Sequence, residues 1–231
     1  MSVGLQSMVG GYIAAQSKRA ERKVRPPLPV VTISRETGAG AVTIARMLAK
    51  RLDKRVKNSE DPPWTVFNRK LVERVLEDHE LPATLKRFMP EDSIGDLQDA
   101  VEQQFGLHPA NWTLVQHTTD TMMRLAHLGN VILVGRGSNI ITAKVPGSLH
   151  VRLVAPESTR IAHVAEFYEL SEKEAMDYVH KHDRARKRYV KRNFHAAIDD
   201  PLQYSLVINT ARTGFDEAVR IIVDATPRVL A

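Results

Sequence analysis

Short apolar runs alternate with longer amphipathic segments along most of this chain. The runs are PVVTIS at 29–34, WTVF at 64–67, NVILVG at 130–135, LHVRLVA at 149–155 and YSLVIN at 204–209. Each is short and rich in β-branched or aromatic residues, which is typical of strands. They are too far apart for hairpins, so the chain between them must cross over the sheet. The pattern predicts five parallel strands joined by helical crossovers.

The segments between these runs carry a helical period. Apolar residues recur every four positions at Ile44, Leu48 and Leu52, and again at Leu97, Val101 and Phe105. Such spacing places them on one face of a helix. Further helices are predicted over Asn111–His127, with Gly129 near the C-terminal end, from the Ser171–Glu174 capping box to Arg192, and over 214–225.

These elements predict one α/β domain with extensions. Residues 1–28 form an N-terminal arm and basic linker, 29–224 form the domain, and 225–231 form a C-terminal tail. Residues 58–66 and 82–96 are rich in loop-forming residues. Within the domain, 58–128 therefore has the composition of an insertion on the sheet, and 171–200 is a second distinct segment.

Composition narrows the classes of function. The 231 residues include no cysteine, which excludes disulfides and thiolate metal sites. Residues 1–16 lack both a basic start and a continuous apolar stretch, so we expect no signal peptide, no membrane anchor and a cytoplasmic location. The formal net charge is +6 and the pI is near 9.6, which favours anionic partners. Nucleotides, nucleic acid and anionic membranes all meet that description.

The sequence SRETGAGAVTIA at 34–45 lies between the first strand and the first helix, where a phosphate-binding loop belongs. Gly38 and Gly40 suit such a loop, but Arg35 stands at the first glycine position of a P-loop. Ala41 stands at the lysine position and Val42 at the Ser/Thr position. The loop therefore lacks the lysine that normally reaches the β- and γ-phosphates.

Backbone N–H groups at the start of the helix still provide a site for an anion. A dinucleotide-binding loop is excluded because Thr43 stands where a third small residue is needed and Asn68 where the second strand needs an acidic end. The alternative is that the glycines only make a tight turn. We predict that the loop contacts phosphate through Arg35, Thr37, Gly38, Ala39, Gly40, Ala41, Val42 and Thr43.

A second cationic segment lies near the end of the long predicted helix. It contains Lys181, Arg184, Arg186, Lys187, Arg188, Lys191 and Arg192, with Asp183 as the one acid among them. Crowded like charges repel one another unless an anion is present, which favours a phosphate site. A solvated helix face and a nucleic-acid patch remain the alternatives. His180 and His182 point in different directions on a helix, so we predict no metal site formed by protein side chains alone.

Several segments together resemble the cytidylate kinase-like family, a P-loop group related to nucleoside monophosphate kinases. They are VTISRETGAGAVTIARMLAKRL, VILVGRGSNII, LHVRLVAPESTRI and HDRARKRYVKRNF with DDPLQYSLVINT. The similarity covers roughly residues 29–224. It implies a P-loop NTPase-like three-layer sandwich with a five-stranded parallel sheet, an insertion that binds a nucleoside monophosphate (NMP) and an arginine-rich lid helix.

The resemblance also implies roles for individual residues. Arg184 and Arg186 match the lid arginines that close over the donor phosphates and act in catalysis. Arg136 matches an arginine that holds substrate phosphate, and Asn68 falls near the acceptor site. The family carries Asp where Gly137 stands, so cytidine specificity is not implied. The implied donor is ATP with Mg²⁺ held by the nucleotide phosphates.

Three functions follow as hypotheses. The first is a nucleoside monophosphate kinase-like phosphotransferase acting on a nucleotide or another small acceptor. The second is a catalytically inactive nucleotide-binding or regulatory protein that retained the fold. The third is a nucleic-acid-binding module that uses the basic helix 181–192. The sequence does not distinguish the acceptor or the oligomeric state.

Overall fold

The computed structural model of the protein describes residues 28–56, 61–68, 119 and 121–227. All five predicted strands are present within these ranges. They are β1 Val30–Arg35, β2 Thr65–Asn68, β3 Val131–Val134, β4 Ser148–Val154 and β5 Leu206–Asn209. Their ends differ from the predicted ends by one or two residues.

The strands form one sheet in the order β2-β3-β1-β4-β5, and every pairing is parallel. In the central strand, Val30 pairs with Val131 on one side and Ser148 on the other. The chain passes from β3 to β4 across β1. The C-terminal end of β1 is therefore a topological switch point, where ligands of open α/β sheets bind.

Within the described ranges, five helices with defined ends connect or flank the strands. They are α1 Ala41–Asp53, α2 Ser138–Ile141, α3 Glu157–Tyr168, α4 Glu172–Phe194 and α5 Thr210–Ala225. Residues 121–128 are also helical and end at Gly129, which has a φ of 72°. This confirms the C-terminal part of the helix predicted from Asn111.

Apolar side chains from both faces of the sheet are buried by helices. On one face, Ile33 packs in a cluster with Leu48 of α1 and Ile222 of α5. On the other face, Leu133 packs with Leu125 from the 121–128 helix. Burial on both faces explains why the strands are almost continuously apolar. The arrangement confirms the predicted three-layer α/β sandwich.

Three of the described helices differ from the sequence-based prediction, and the first is the short α2, which was not predicted. The helix α3 was not predicted, because only Arg160 and Val164 are buried along it and a helical apolar period is nearly absent. The last helix begins at Thr210 rather than at Gly214. Asn209 caps it by accepting a hydrogen bond from the Ala211 N–H, and Gly214, with φ 71° and ψ 167°, interrupts it as a kink.

The capping box predicted for α4 is confirmed. The Ser171 hydroxyl accepts from the Glu174 N–H, and the Glu174 carboxylate accepts from the Ser171 N–H. The helix then continues to Phe194, two residues beyond the predicted end. It packs on α3 through Val164, Ala175 and Val179, while much of its remaining surface is exposed.

Several predictions fall outside the described residues. These include the helix around Leu97, most of the predicted 58–128 insertion and nearly all of the N-terminal arm. The domain boundaries therefore remain predictions. Within the described ranges, no helix has the length and apolar character needed to span a bilayer.

Candidate anion-binding site

The loop 36–40 joins the central strand β1 to α1 and depends on two glycines. Gly38 and Gly40 have φ values of 84° and 81°, in the left-handed region that favours glycine. A Cβ on Gly38 would lie 2.4 Å from the Arg160 carbonyl oxygen, and one on Gly40 would lie 2.4 Å from the Phe215 ring. Glycine at these two positions thus permits both the left-handed backbone of the turn and the close packing of α3 and α5 against the loop.

The predicted loop residues present different groups to a ligand. The side chains of Ala39 and Ala41 are buried in the core, so these two residues offer an anion only backbone groups. Val42 is 46% exposed and Thr43 is also exposed. Gly40 caps α1 without a side-chain hydrogen bond, so the first-turn N–H groups receive no side-chain cap from it. Phosphate contact by these residues remains a prediction.

The most highly connected group at the loop is the Asp183 carboxylate, which projects from α4. Its Oδ1 accepts from the Thr37 N–H at 2.8 Å and from the Thr37 hydroxyl at 2.6 Å. Arg160 donates to Oδ2 at 2.7 Å, and Arg186 donates to Oδ1 at 3.2 Å. Arg186 also donates to the Thr37 hydroxyl. These contacts hold α4 directly against the loop.

Arg160 supports this arrangement from α3, where it is 7% exposed. Its guanidinium donates to the carbonyls of Ala155 and Thr37 at 2.9 and 3.2 Å, and it lies 3.3 Å from the Glu36 carboxylate. One buried cation therefore joins the residue that follows β4, the loop and α4. Sequence reasoning missed Arg160 because an arginine in a polar helix carries no local signal, although it lies inside the PESTRI segment of the resemblance.

Two further arginines place positive charge next to this cluster. Burial and the charges of Arg186 and Arg136 lower the pKa of Arg35 to about 9, and Asp183 partly opposes the shift. Burial also lowers the pKa of Arg186, again opposed by Asp183. The Arg186 Nε is buried and has no hydrogen-bond partner. The site thus concentrates cationic groups around the Asp183 carboxylate, with the Glu36 carboxylate beside Arg160.

Arg136 follows β3, and its guanidinium carbon lies 5.6 Å from the centre of the Tyr189 ring of α4. Asn68 ends β2 and pairs with Val134 in the same sheet. Both candidate acceptor residues therefore lie at the carboxyl edge of the sheet. The structure brings Arg35, Thr37, Arg136 and Arg186 into one electrostatic cluster.

Arg184 is placed differently. It is exposed, and its Nε donates to the His180 carbonyl within α4. It lines a cleft of about 330 Å³ between the loop, β4 and α4. Arg35 and Arg186 line the same cleft. The charge of Arg186 lowers the pKa of Arg35, and so does the charge of Arg136. The two predicted lid arginines thus have different surroundings.

A second carboxylate, that of Asp199, binds two of the cations that line this cleft. Asp199 accepts from Arg152 of β4 at 2.5 Å and pairs with Lys187 of α4 at 2.7 Å. Arg152 is 4% exposed and also donates to the Ser34 hydroxyl. The neighbouring Asp200 caps the 3-10 turn at Pro201–Gln203 by accepting from the Leu202 N–H.

A metal site was not predicted from the sequence. In the ranges that the structure describes, no group of three His, Cys, Asp or Glu side chains is arranged to hold a metal ion. His180 instead pairs with Glu157 at 3.1 Å. His182 stacks on Tyr178 with ring centres 4.1 Å apart.

Comparison with known proteins adds a fold and a family. An uncharacterized protein from Eubacterium ventriosum matches with a TM-score of 0.61 at 19% identity, over 85% of this chain and 96% of that one. Shikimate kinase from Bacteroides thetaiotaomicron matches with a TM-score of 0.49 at 12% identity, over 85% of this chain and 97% of that one. The first of these two likenesses supports the fold alone.

A relative in sequence is the uronate isomerase of Corynebacterium glutamicum, which is 26% identical over 146 residues. The match covers 63% of this chain but only 28% of that protein. The sequence profile of the cytidylate kinase-like family matches residues 30–212, which include every described strand and the whole arginine cluster. The chain therefore belongs to the cytidylate kinase-like family.

Proposed function

We propose that the protein is a nucleoside monophosphate kinase-like phosphotransferase that uses ATP and Mg²⁺ on a nucleotide or another small acceptor. The observation that carries this proposal is that Arg35, Arg184 and Arg186 line one cleft beside the loop after β1, where the charge of Arg136 also lowers the pKa of Arg35. Asp183 is the one acidic group whose charge raises the pKa of Arg35 there. Family membership supports the same reaction class.

The charge balance at this position favours an anion with several negative charges. Desolvation lowers the pKa values of both Arg35 and Arg186, which means that burial disfavours their charged forms. A bound phosphate would offset that cost by Coulomb attraction and by hydrogen bonding. The unpartnered Arg186 Nε is a donor suited to a phosphate oxygen.

The residues divide into donor and acceptor roles in this proposal. Loop N–H groups over 37–43 and the Arg35 guanidinium would hold the donor phosphates, and the nucleotide phosphates would hold Mg²⁺. Arg136 and Asn68 would orient the acceptor. Arg186, with Arg184 at the cleft, would stabilise the charge on the transferred group. Phosphoryl transfer of this kind depends mainly on positioning and electrostatics.

The loop lacks a lysine, and the fold explains why a simple replacement would not restore it. Ala41 is 6% exposed and packs in the main core cluster, so a lysine side chain there would meet the core. The guanidinium of Arg186 already reaches the loop through Thr37. We propose that lid arginines supply the charge that a P-loop lysine provides elsewhere.

A phosphotransfer panel tests this function. Purified full-length protein is incubated with ATP–Mg²⁺ and each common nucleoside monophosphate, and binding of ATP is measured in parallel by calorimetry. Transfer to at least one acceptor is expected. Arg186→Ala should reduce turnover by about 10³-fold or more, as removal of a transition-state arginine does.

Arg188→Ala is the matched control, since Arg188 lies on the same helix and is exposed. It should leave turnover close to wild type. Equal turnover in wild type and Arg186→Ala would contradict the proposed role of Arg186. Absence of transfer to every acceptor would contradict the enzyme proposal.

A second candidate is a nucleotide-binding protein without catalysis. It is favoured because the Thr37 N–H, one of the loop donors assigned to the donor phosphates, already bonds to Asp183 within the chain. ATP binding with no transfer in the same panel would support it. A third candidate, nucleic-acid binding, is favoured by the exposure of Lys181, Lys187, Arg188 and Lys191. Oligonucleotide binding that falls steeply with salt and is not displaced by ATP would support that function.

A further inference from the structure

The contacts of Asp183 have the composition of an anion-binding site. One carboxylate receives a backbone N–H, a hydroxyl and two guanidinium groups, from Thr37, Arg160 and Arg186. Backbone N–H groups of glycine-rich loops and arginine forks are the donors that proteins use for phosphate oxygens. The donors come from the loop, α3 and α4, so the site exists only because these elements meet.

We propose that Asp183 fills, with its own carboxylate, an oxyanion site made by Thr37, Arg160 and Arg186, and that a phosphate group of a ligand takes its place. Asp183 is then an internal competitor for phosphate. The proposal deepens the proposed function, on which it rests for the identity of the natural ligand. The site itself can be tested with inorganic phosphate alone.

The geometry supports exchange rather than a purely structural ion pair. Asp183 retains 20% side-chain exposure, whereas Arg160 retains 8%. The carboxylate therefore lies on the solvent side of the pair, and the guanidinium lies on the protein side. Arg160 has further acceptors at Ala155, Thr37 and Glu36, which hold it in place when Asp183 departs. Arg160, the most buried donor of the site, is thus held in place independently of the group that fills it.

The cleft gives a ligand access to this position. Asp183, Arg160 and Arg186 all line the cleft of about 330 Å³, together with Arg35. Among the described residues, Arg35 forms no ion pair with a carboxylate, and its positive charge is disfavoured by burial and by the charges of Arg186 and Arg136. A phosphate carries more negative charge than one carboxylate, so it neutralises this excess more fully than Asp183 does. Displacement of Asp183 would release the turn of α4 that carries this carboxylate from the Thr37 N–H, while Arg186 would keep its bond to the Thr37 hydroxyl.

The decisive variant is Asp183→Asn, which removes the competing charge and keeps nearly the same shape. Calorimetry with inorganic phosphate on the full chain should show affinity at least about tenfold higher than in wild type, because one charge-assisted set of contacts no longer competes. Asp177→Asn is the matched control. Asp177 is an exposed aspartate on the same helix, and its replacement makes the same change in net charge.

Unchanged or weaker phosphate binding in Asp183→Asn would overturn the proposal and leave Asp183 as a structural partner of Arg160. An equal gain in Asp177→Asn would also overturn it, because the effect would then come from net charge. A gain specific to Asp183→Asn supports the oxyanion site even if the phosphotransfer panel finds no acceptor. The two failures are therefore distinguishable.

An NMR titration of the wild-type protein gives an independent result if the variant does not fold. Adding inorganic phosphate should shift the Thr37 amide resonance, since that N–H exchanges a carboxylate for phosphate. The amide resonances of residues 182–186 should shift with it as this turn of α4 is released. Phosphate that perturbs only the amides of 41–43 would place the anion at the start of α1 and would overturn the proposal.

Discussion

Asp183 and Asp199 both link α4 to the rest of the domain, but they do so in different environments. Asp183 is 20% exposed and accepts from a loop N–H, a hydroxyl and two arginines. Asp199 is 49% exposed and accepts from Arg152 and Lys187. The Asp183 carboxylate therefore accepts from several converging donors. The Asp199 carboxylate pairs with two cations that line the cleft.

The comparison shows that an aspartate beside arginines is not enough to identify a ligand site. Solvent screens the ion pair of Asp199 with Lys187, so that pair contributes little to stability, whereas the Arg152 guanidinium on the other side of Asp199 is buried. At Asp183 the donors include a backbone group whose position is fixed by the fold. A backbone N–H and a hydroxyl among the donors, rather than the number of cations, distinguish Asp183 from Asp199.

The largest effect that would sharpen this comparison is expected from Arg160→Ala. The change leaves the carboxylates of Asp183 and Glu36 without their buried partner, and loss of one member of a buried pair costs about 3–5 kcal/mol. Urea unfolding followed by circular dichroism measures the free energy of unfolding. Arg220→Ala is the control, since it removes an exposed ion pair with Glu217 and should change stability little. Equal stability of the two variants would show that Arg160 does not join the three elements.

A smaller effect is expected from Asp199→Asn. The amide oxygen still accepts a hydrogen bond from Arg152, so only the charge-assisted part is lost, and the cost should be about 1 kcal/mol. The same urea experiment measures it, with Asp216→Asn as a control for an exposed pair on α5. A loss of unfolding free energy as large as that of Arg160→Ala would contradict the difference drawn between the Asp183 site and the more exposed Asp199.

The smallest effect concerns His182, which neighbours Asp183. Burial lowers the pKa of His182, the charges of Arg186, Arg136 and Lys181 lower it further, and Asp183 raises it. Asp183→Asn should therefore lower this pKa again, whereas Asp199→Asn should leave it unchanged. An NMR pH titration of the ring resonances measures both. A rise in the Asp183→Asn variant would contradict the electrostatic description of the site.

The lowered pKa of His182 also determines the direction in which stability changes with pH. An unfolded histidine takes up a proton near pH 6.5. Folded His182 takes one up only at a lower pH, so the unfolded state binds more protons between the two values. Its contribution therefore makes the free energy of unfolding decrease as pH falls through about 6.5. His182→Gln should remove that part of the pH dependence.

Much of the fold was predictable because it depends on local patterns. The five strands were found from short apolar runs, and the capping box at Ser171 and Glu174 fixed the start of α4. The helix α3 was not found, since its buried residues are too few to give a period. The parallel arrangement followed from the distance between strands along the chain.

The sequence by itself determined the strands, most helices in the described ranges, the position of the loop after β1 and the excess of arginine near 184–192. Those features depend on residues close to one another in the chain. It did not determine that Asp183 would bond to Thr37, 146 positions away, or that Arg160 would bond to both. Only tertiary packing of the loop, α3 and α4 decides which cations converge, because side-chain contacts between distant segments depend on how the helices lie on the sheet.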